Sequence, residues 1–215
     1  MKISFLVSAF LIAFSISLSA AEVVDGDTLK KDGVTYRLEG IDAPEHGQKC
    51  KRPNGKSWPC GKEATSYLKQ LVSGNSISCE GNSKDEYGRV LAVCYVNGDD
   101  INAHMVDVGL AWAFRKFSNS YIVQENRAKK SAVGIWQAPT QTPWDYRSDR
   151  WSVAAQDAPE GCPIKGNISK NGMIYHAPWS PWYSRTKISL NKGERWFCSE
   201  GEAIAAGWRA PLWGN

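Results

Sequence analysis

The stretch from Val23 to Glu45, VVDGDTLKKDGVTYRLEGIDAPE, gathers carboxylates at its two ends. Asp25 and Asp27 lie at one end, Asp42 and Glu45 at the other, and Arg37 sits in the strand-like stretch between them. Such groups are either solvated turn residues or partners of a positive species held between them. A later loop, DEYGR, adds Tyr87 and Arg89. Each piece alone is weak. DGDT is a common turn string, DAPE and DEYGR resemble ordinary surface loops, and an arginine in a strand is most often an exposed charge with its stem packed on neighbours. The ordered set of carboxylate pair, strand arginine, carboxylate pair and Tyr-Gly-Arg carries the chemical signal.

Several elements must position these residues. Val34 to Leu38 alternates with period two and follows a turn at Asp32-Gly33, so it reads as a strand with Val23 to Lys30 as its hairpin partner. From Gly61, GKEATSYLKQLVSG places Ala64, Leu68, Leu71 and Val72 on one face and stops at Gly74, which predicts a helix. Strands are expected at Ser76–Glu80 and Val90–Val96. A short helix capped by Asp100 and closed by Gly109 follows, then another over Tyr121–Val133. Strands, helix, strands and two helices suit an α+β fold, a small antiparallel β-barrel of OB type with helices against it.

The chain has 215 residues. Its opening, MKISFLVSAFLIAFSISLSAAE, has a positive Lys2, an apolar run and small residues up to Ala21, which is the pattern of a secretory signal peptide over residues 1–21. A secreted or periplasmic protein is expected, without stable membrane insertion once the signal is removed. Six cysteines in an exported chain read first as disulfides. The simplest of the possible pairings is Cys50–Cys60, Cys79–Cys94 and Cys162–Cys198, and antiparallel pairing of the two later strands brings Cys79 near Cys94. Zinc is the rival, disfavoured by scattered histidines and the lack of a CxxC pair. Residues 161–215 hold seven Lys or Arg against three Glu, while residues 22–160 are nearly neutral. A basic tail mildly favours a polyanionic partner.

The motifs VVDGDT, YRLEGIDAPE, DEYGRVLAVC and GLAWAF, followed by a helix ending in GIW, closely resemble the staphylococcal nuclease family over about Glu22 to Trp136. The resemblance implies a calcium-dependent nuclease that hydrolyses phosphodiesters of DNA and RNA with low sequence specificity, leaving 3′-phosphates. In it Asp27, Asp42 and the Ala43 carbonyl bind Ca²⁺, completed by water and a substrate phosphate, and Thr28 helps position the network. Glu45 is the general base, its pKa lowered by the neighbouring calcium, and Arg37 and Arg89 grip the phosphodiester. Tyr87 stands where the family stacks or hydrogen-bonds a tyrosine near the terminal nucleotide, the alternative being a packed turn aromatic. Ala43 replaces a frequent threonine, Glu86 stands where a lysine often precedes the tyrosine, and Phe114 falls near a second site tyrosine.

Outside the motifs, the insertion HGQKCKRPNGKSWPCGKE brings Lys49, Lys51, Arg52, Lys56 and Trp58 beside the expected site. It is either a strand-contacting loop or a disulfide-stapled surface loop. Residues 22–137 are expected to form the nuclease-like domain. Residues 138–160, rich in Pro, Gln, Ser and Thr, read as a strap or linker. Residues 161–215 read as a small Trp-rich basic module, similar to one attached to some bacterial nuclease-like proteins. A monomer is expected. Two other classes compete with the enzyme: a barrel that only binds nucleic acid, and an envelope or polysaccharide-associated protein working through its tail.

Overall fold

The computed structural model describes residues 21–212, so the signal-peptide reading of residues 1–21 lies, Ala21 apart, outside the described residues. The chain enters through β1 (Glu22–Val23) and β2 (Thr28–Lys31), turns at Asp32-Gly33 and returns along β3 (Val34–Leu38). Both turn residues have positive φ, 51° and 80°, as in a two-residue primed turn whose twist matches that of the strands. The hairpin register sets Thr28 opposite Arg37. After β4 (Ile41–Asp42) comes a loop containing the short ribbon β5 (Cys50–Lys51) and β6 (Ser57–Trp58). The Cys50–Cys60 disulfide closes that loop onto α1 (Cys60–Val72). Ala64, Leu68 and Val72 recur every four residues on α1 and are buried against Leu29, Leu38 and Ile41 of the barrel.

Strands β7 (Ile77–Lys84) and β8 (Val90–Val96) pair antiparallel, with Cys79 directly opposite Cys94 and bonded to it. β7 runs four residues beyond its expected end, through a register shift between Glu80 and Ser83. Next come β9 (Asp99–Asp100), α2 (Ile101–Asp107), β10 (Trp112–Ala113) and α3 (Ile122–Lys130). Asp100 caps α2, its Oδ1 accepting from the Ala103 amide at 2.9 Å. The main sheet has the order β1-β2-β3-β8-β7, with β9 on β8, and β10 pairs with β4. Within this sheet β3 and β8 run parallel and the other pairs antiparallel. The curled sheet with its helices is an OB fold of the α+β class. Asn102, fully buried, ties α2 to the sheet: it donates to the Glu39 and Ala92 carbonyls at 2.9 and 3.1 Å and accepts from the Cys94 amide at 3.2 Å.

The stretch read as a strap differs. It contains α4 (Pro143–Asp157), a 15-residue helix started by Thr142, whose hydroxyl accepts from the Asp145 amide, with Pro143 at the first turn. Of its residues only Pro143 is fully buried, so the helix lacks the apolar stripe that would have announced it. The tail forms a three-stranded antiparallel sheet of β11 (Ile164–Ser169), β12 (Gly172–His176) and β13 (Arg195–Phe197), followed by α5 (Glu200–Ala205). Ile164, Tyr175, Phe197, Ala203 and Trp208 form its core, stapled by Cys162–Cys198. All six cysteines are therefore paired as the sequence predicts. The tail also rests against the barrel. A Cβ at Gly47 would lie 3.3 Å from both Pro181 Cγ and the Trp179 carbonyl oxygen.

Candidate active site

The barrel answers the question posed by the carboxylates. The β2–β3 hairpin and the side-chain bonds of Asp27 and Arg37 to the β4 segment fold the two acidic ends onto each other. Asp27 Oδ2 accepts from the Ala43 amide at 2.7 Å, which ties DGDT to DAPE. Gly26 permits this approach, because a Cβ there would sit 2.8 Å from Ala43 Cβ and 2.9 Å from Ala64 Cβ. Asp25 Oδ1 accepts from the Asp27 amide at 3.1 Å and shapes the turn.

Arg37 is the positive group between them. Its Nη1 lies 3.1 Å from Asp27 Oδ2 and its Nη2 3.0 Å from Asp42 Oδ1. It also donates to the Leu38 and Ile41 carbonyls at 3.1 and 3.0 Å, so the guanidinium is held on every side. Arg89 comes from the β7–β8 loop. Asp85 aims it, accepting from the Arg89 amide at 2.9 Å and from its Nε at 2.7 Å, and also from the Tyr87 amide at 3.0 Å. Arg89 Nη1 reaches Thr28 Oγ1 at 3.4 Å, and Thr28 in turn donates to Asp27 Oδ1 at 3.3 Å. The Arg89 guanidinium lies over the Tyr87 ring, 5.1 Å from its centroid.

Glu45 sits at the end of the DAPE loop. Its amide donates to Gln48 Oε1 at 3.1 Å and its carbonyl accepts from the Gln48 amide at 2.7 Å. Behind it stands the first turn of α1, so close that a Cβ on Gly61 would lie 2.5 Å from the Glu45 carbonyl carbon.

Sequence reasoning missed one partner. Arg147, from α4, donates through Nη2 to Asp42 Oδ2 at 2.8 Å and through Nη1 to Asp42 Oδ1 at 3.2 Å and Glu45 Oε1 at 2.7 Å. The signal was present in spacing alone: Trp144, Arg147, Ser148 and Trp151 lie three or four residues apart and share one helix face. That face looks into the site. Trp144 stacks on Phe114, their centroids 5.5 Å apart and their planes 20° apart, and Trp151 lies 6.3 Å from Trp179 of the tail.

These residues line a cavity of about 740 Å³. Its wall holds Asp25, Asp27, Arg37, Asp42, Glu45, Tyr87 and Arg89 on the barrel side. Trp144, Arg147 and Trp151 of α4, with Trp179 and Glu200 of the tail, form the opposite wall. Burial, reinforced by Asp27, pushes Asp25 up to about 7. Asp27 itself is held below the ordinary range: burial opposes this, but Arg37 and the Ala43 amide outweigh it. Asp42 is raised by burial despite Arg147 and Arg37. Burial pushes Glu45 up to about 8, against the pull of Arg147; the lowering expected of Glu45 belongs to a site that holds calcium beside it.

The sequence of this site matches known proteins. Residues 35–138 match the family described as staphylococcal nuclease homologue, and residues 147–210 match a second family, ArfC. An uncharacterised endonuclease of Escherichia coli is 32% identical over 133 residues, which covers 58% of this chain and 80% of that protein. The chain belongs to the staphylococcal nuclease family.

Within the family, the micrococcal nuclease of Shigella flexneri is 32% identical over 143 residues, 58% of this chain and 76% of that protein. The succinoglycan biosynthesis protein ExoI of Rhizobium meliloti is 34% identical over 125 residues, and the match spans 56% of this chain and 65% of ExoI. Arg147 lies beyond the nuclease match and at the start of the ArfC match. Among the departures from the family pattern, Glu86 and Phe114 both line the cavity. The inserted loop keeps Lys49, Lys51, Arg52 and Lys56 exposed. Trp58 does not reach outward with them. It is buried beside Cys50, Cys60, Trp112 and Ile135, and its Nε1 donates to the Lys51 carbonyl at 3.3 Å, so it holds the loop together instead of offering a face to a strand.

Proposed function

We propose that the chain is an exported, calcium-dependent nuclease that hydrolyses phosphodiesters of DNA and RNA with low sequence specificity. The observation that carries this reading is the convergence of Arg37, Arg89, Asp27, Asp42 and Glu45 on one cavity. Eight carboxyl side chains line that cavity against three arginines. A pocket so acidic repels a phosphodiester unless a cation joins it, and the donors on offer are hard oxygens of the kind calcium takes. Among the described residues no three His, Cys, Asp or Glu side chains converge as a cage. Two carboxylates and a backbone carbonyl from Asp27, Asp42 and Ala43 instead leave room for water and a phosphate oxygen. Bound there, the cation would polarise the phosphate and offset its charge.

The remaining steps belong to the protein. Glu45, at the end of the DAPE loop and facing the cavity, would in its ionised form take a proton from a water whose oxygen attacks phosphorus. The bond from phosphorus to the 5′ oxygen breaks, that oxygen gains a proton from solvent, and a 3′-phosphate is left. Arg37 and Arg89 donate to the non-bridging oxygens as their charge grows. Burial and the Asp85 carboxylate have opposing effects on Arg89, and the net shift is upward. It therefore acts as a fixed charge and not as the leaving-group acid.

Three disulfides support a location outside the reducing cytoplasm, secreted or periplasmic. No helix among the described residues is long and apolar enough to cross a membrane. Plasmid degradation followed with calcium, with magnesium and with excess chelator tests the reading. Cleavage is expected with calcium alone, because magnesium demands a stricter octahedron. Full activity in excess chelator would overturn the calcium assignment, and no cleavage under any metal would overturn the enzyme.

A further inference from the structure

Arg147 stands where the proposed chemistry needs free oxygens. Its fork covers both oxygens of Asp42, at 2.8 and 3.2 Å, and its Nη1 also holds Glu45 Oε1 at 2.7 Å. Asp42 Oδ1 is already shared with Arg37 Nη2 at 3.0 Å, so a metal bond to Asp42 must compete for an occupied oxygen. Asp42 is 1% exposed in its side chain and held by two arginines. The Arg147 side chain is the partner with room to move. It is 27% exposed, faces a cavity of about 740 Å³, and has the long stem of an arginine. The helix carrying it is anchored, since Trp144 packs on Trp112 and Phe114 at 6.4 and 5.5 Å between centroids. A swing of the guanidinium therefore needs no movement of the backbone.

We infer that Arg147 is an internal counter-cation, a positioning residue by which the segment appended to the nuclease fold sets the metal affinity of the site. Resting on the calcium reading above, this makes Arg147 and a divalent cation rivals for Asp42 and Glu45. Two positive charges a few ångströms apart in a partly buried site repel strongly, so cation binding expels the guanidinium into the cavity and frees Glu45. Linkage makes the effect reciprocal: whatever weakens the Arg147 contact strengthens cation binding by the same factor. Arg37 offers no such exchange, because its N–H groups also satisfy two backbone carbonyls.

The test is calorimetric titration of calcium into the full mature protein, the Arg147→Gln and Arg147→Lys variants, and Asp42→Asn, with melting curves to confirm folding. Arg147→Gln is expected to bind calcium at least tenfold more tightly, and the calcium concentration for half-maximal cleavage should fall in parallel. Arg147→Lys keeps the charge but loses the fork, so it should fall between. It also carries the test if Arg147→Gln does not fold. Equal or weaker calcium binding in the variants, with Asp42→Asn unable to bind, overturns the rivalry and leaves the metal site standing. No calcium binding in any protein overturns the metal site and this inference together.

Discussion

Gly61→Ala adds one methyl group at the place where the site depends most on close packing. Gly61 is the second residue of α1, and its amide reaches the Gln48 carbonyl at 3.3 Å. A Cβ there would lie 2.5 Å from the Glu45 carbonyl carbon and 2.9 Å from that of His46. Carbon atoms rest at about 3.5–4.0 Å, and the Glu45 carbonyl oxygen lies closer to that Cβ than its carbon does, so the Glu45 loop or the helix must retreat by more than about 1 Å. Ala64, Leu68 and Val72 hold the helix against the barrel core, and the loop therefore moves. A catalytic group displaced by about 1 Å costs on the order of 10²-fold in rate, while overpacking costs about 1–3 kcal/mol of stability. Initial rates on a labelled oligonucleotide at saturating calcium, beside a thermal melt, separate the two effects. A variant that is folded at the assay temperature and cleaves within threefold of the parent would refute the idea that this backbone contact sets the position of Glu45.

Glu45→Gln is expected to slow cleavage by about 10²–10⁴-fold, the usual worth of a positioned base, and Arg89→Ala by a comparable factor. Near-parental rates in both folded variants would remove them from the mechanism. Asn102→Ala strands the Glu39 and Ala92 carbonyls and the Cys94 amide inside the protein, a loss of about 2–4 kcal/mol in denaturant unfolding; a loss below about 1 kcal/mol would show that water replaces the side chain. His176 gives a pH signature. Burial, with Lys165 adding to it, lowers its pKa to about 4, so between about 6.5 and 4 the unfolded chain binds the proton that the folded one refuses. Its contribution is intact above pH 6.5 and fades as pH falls to 4. His176→Gln should flatten the fall in melting temperature across that window, and an unchanged slope would exclude His176 as its source.

Legibility in the sequence followed the range of the interactions. The hairpin at Asp32-Gly33, the α1 stripe of Ala64, Leu68 and Val72, and the Asp100 cap are local patterns, and each formed as predicted. Cys79–Cys94 followed from one antiparallel register. The nuclease motifs bring Asp27, Arg37, Asp42, Glu45 and Arg89 together because one hairpin, the β4 segment that follows it and the β7–β8 loop carry them. Helix α4 stayed hidden because its inward face is built of Trp144, Arg147, Ser148 and Trp151 turned toward a polar cavity, and no apolar run betrays such a face. The Arg147 contacts with Asp42 and Glu45 span about a hundred residues of chain, and nothing in local sequence announces a partner at that range.

The parallel pairing of β3 with β8, Tyr36 against Val90 and Arg37 against Leu91, fixes a timetable. A hairpin closes in microseconds, but two parallel strands separated by a ribbon, a helix and another strand meet only after that intervening chain has been gathered in. Arg37 sits on the first of these strands and Arg89 at the threshold of the second, so these two cavity-lining charges come together late. An N-terminal portion of the chain emerging from a ribosome or an export channel carries Asp25, Asp27, Asp42 and Glu45 while still lacking Arg89, and Arg147 later still. The acidic cluster is thus left without two of its three arginines until the chain on both sides of α1 has been gathered in.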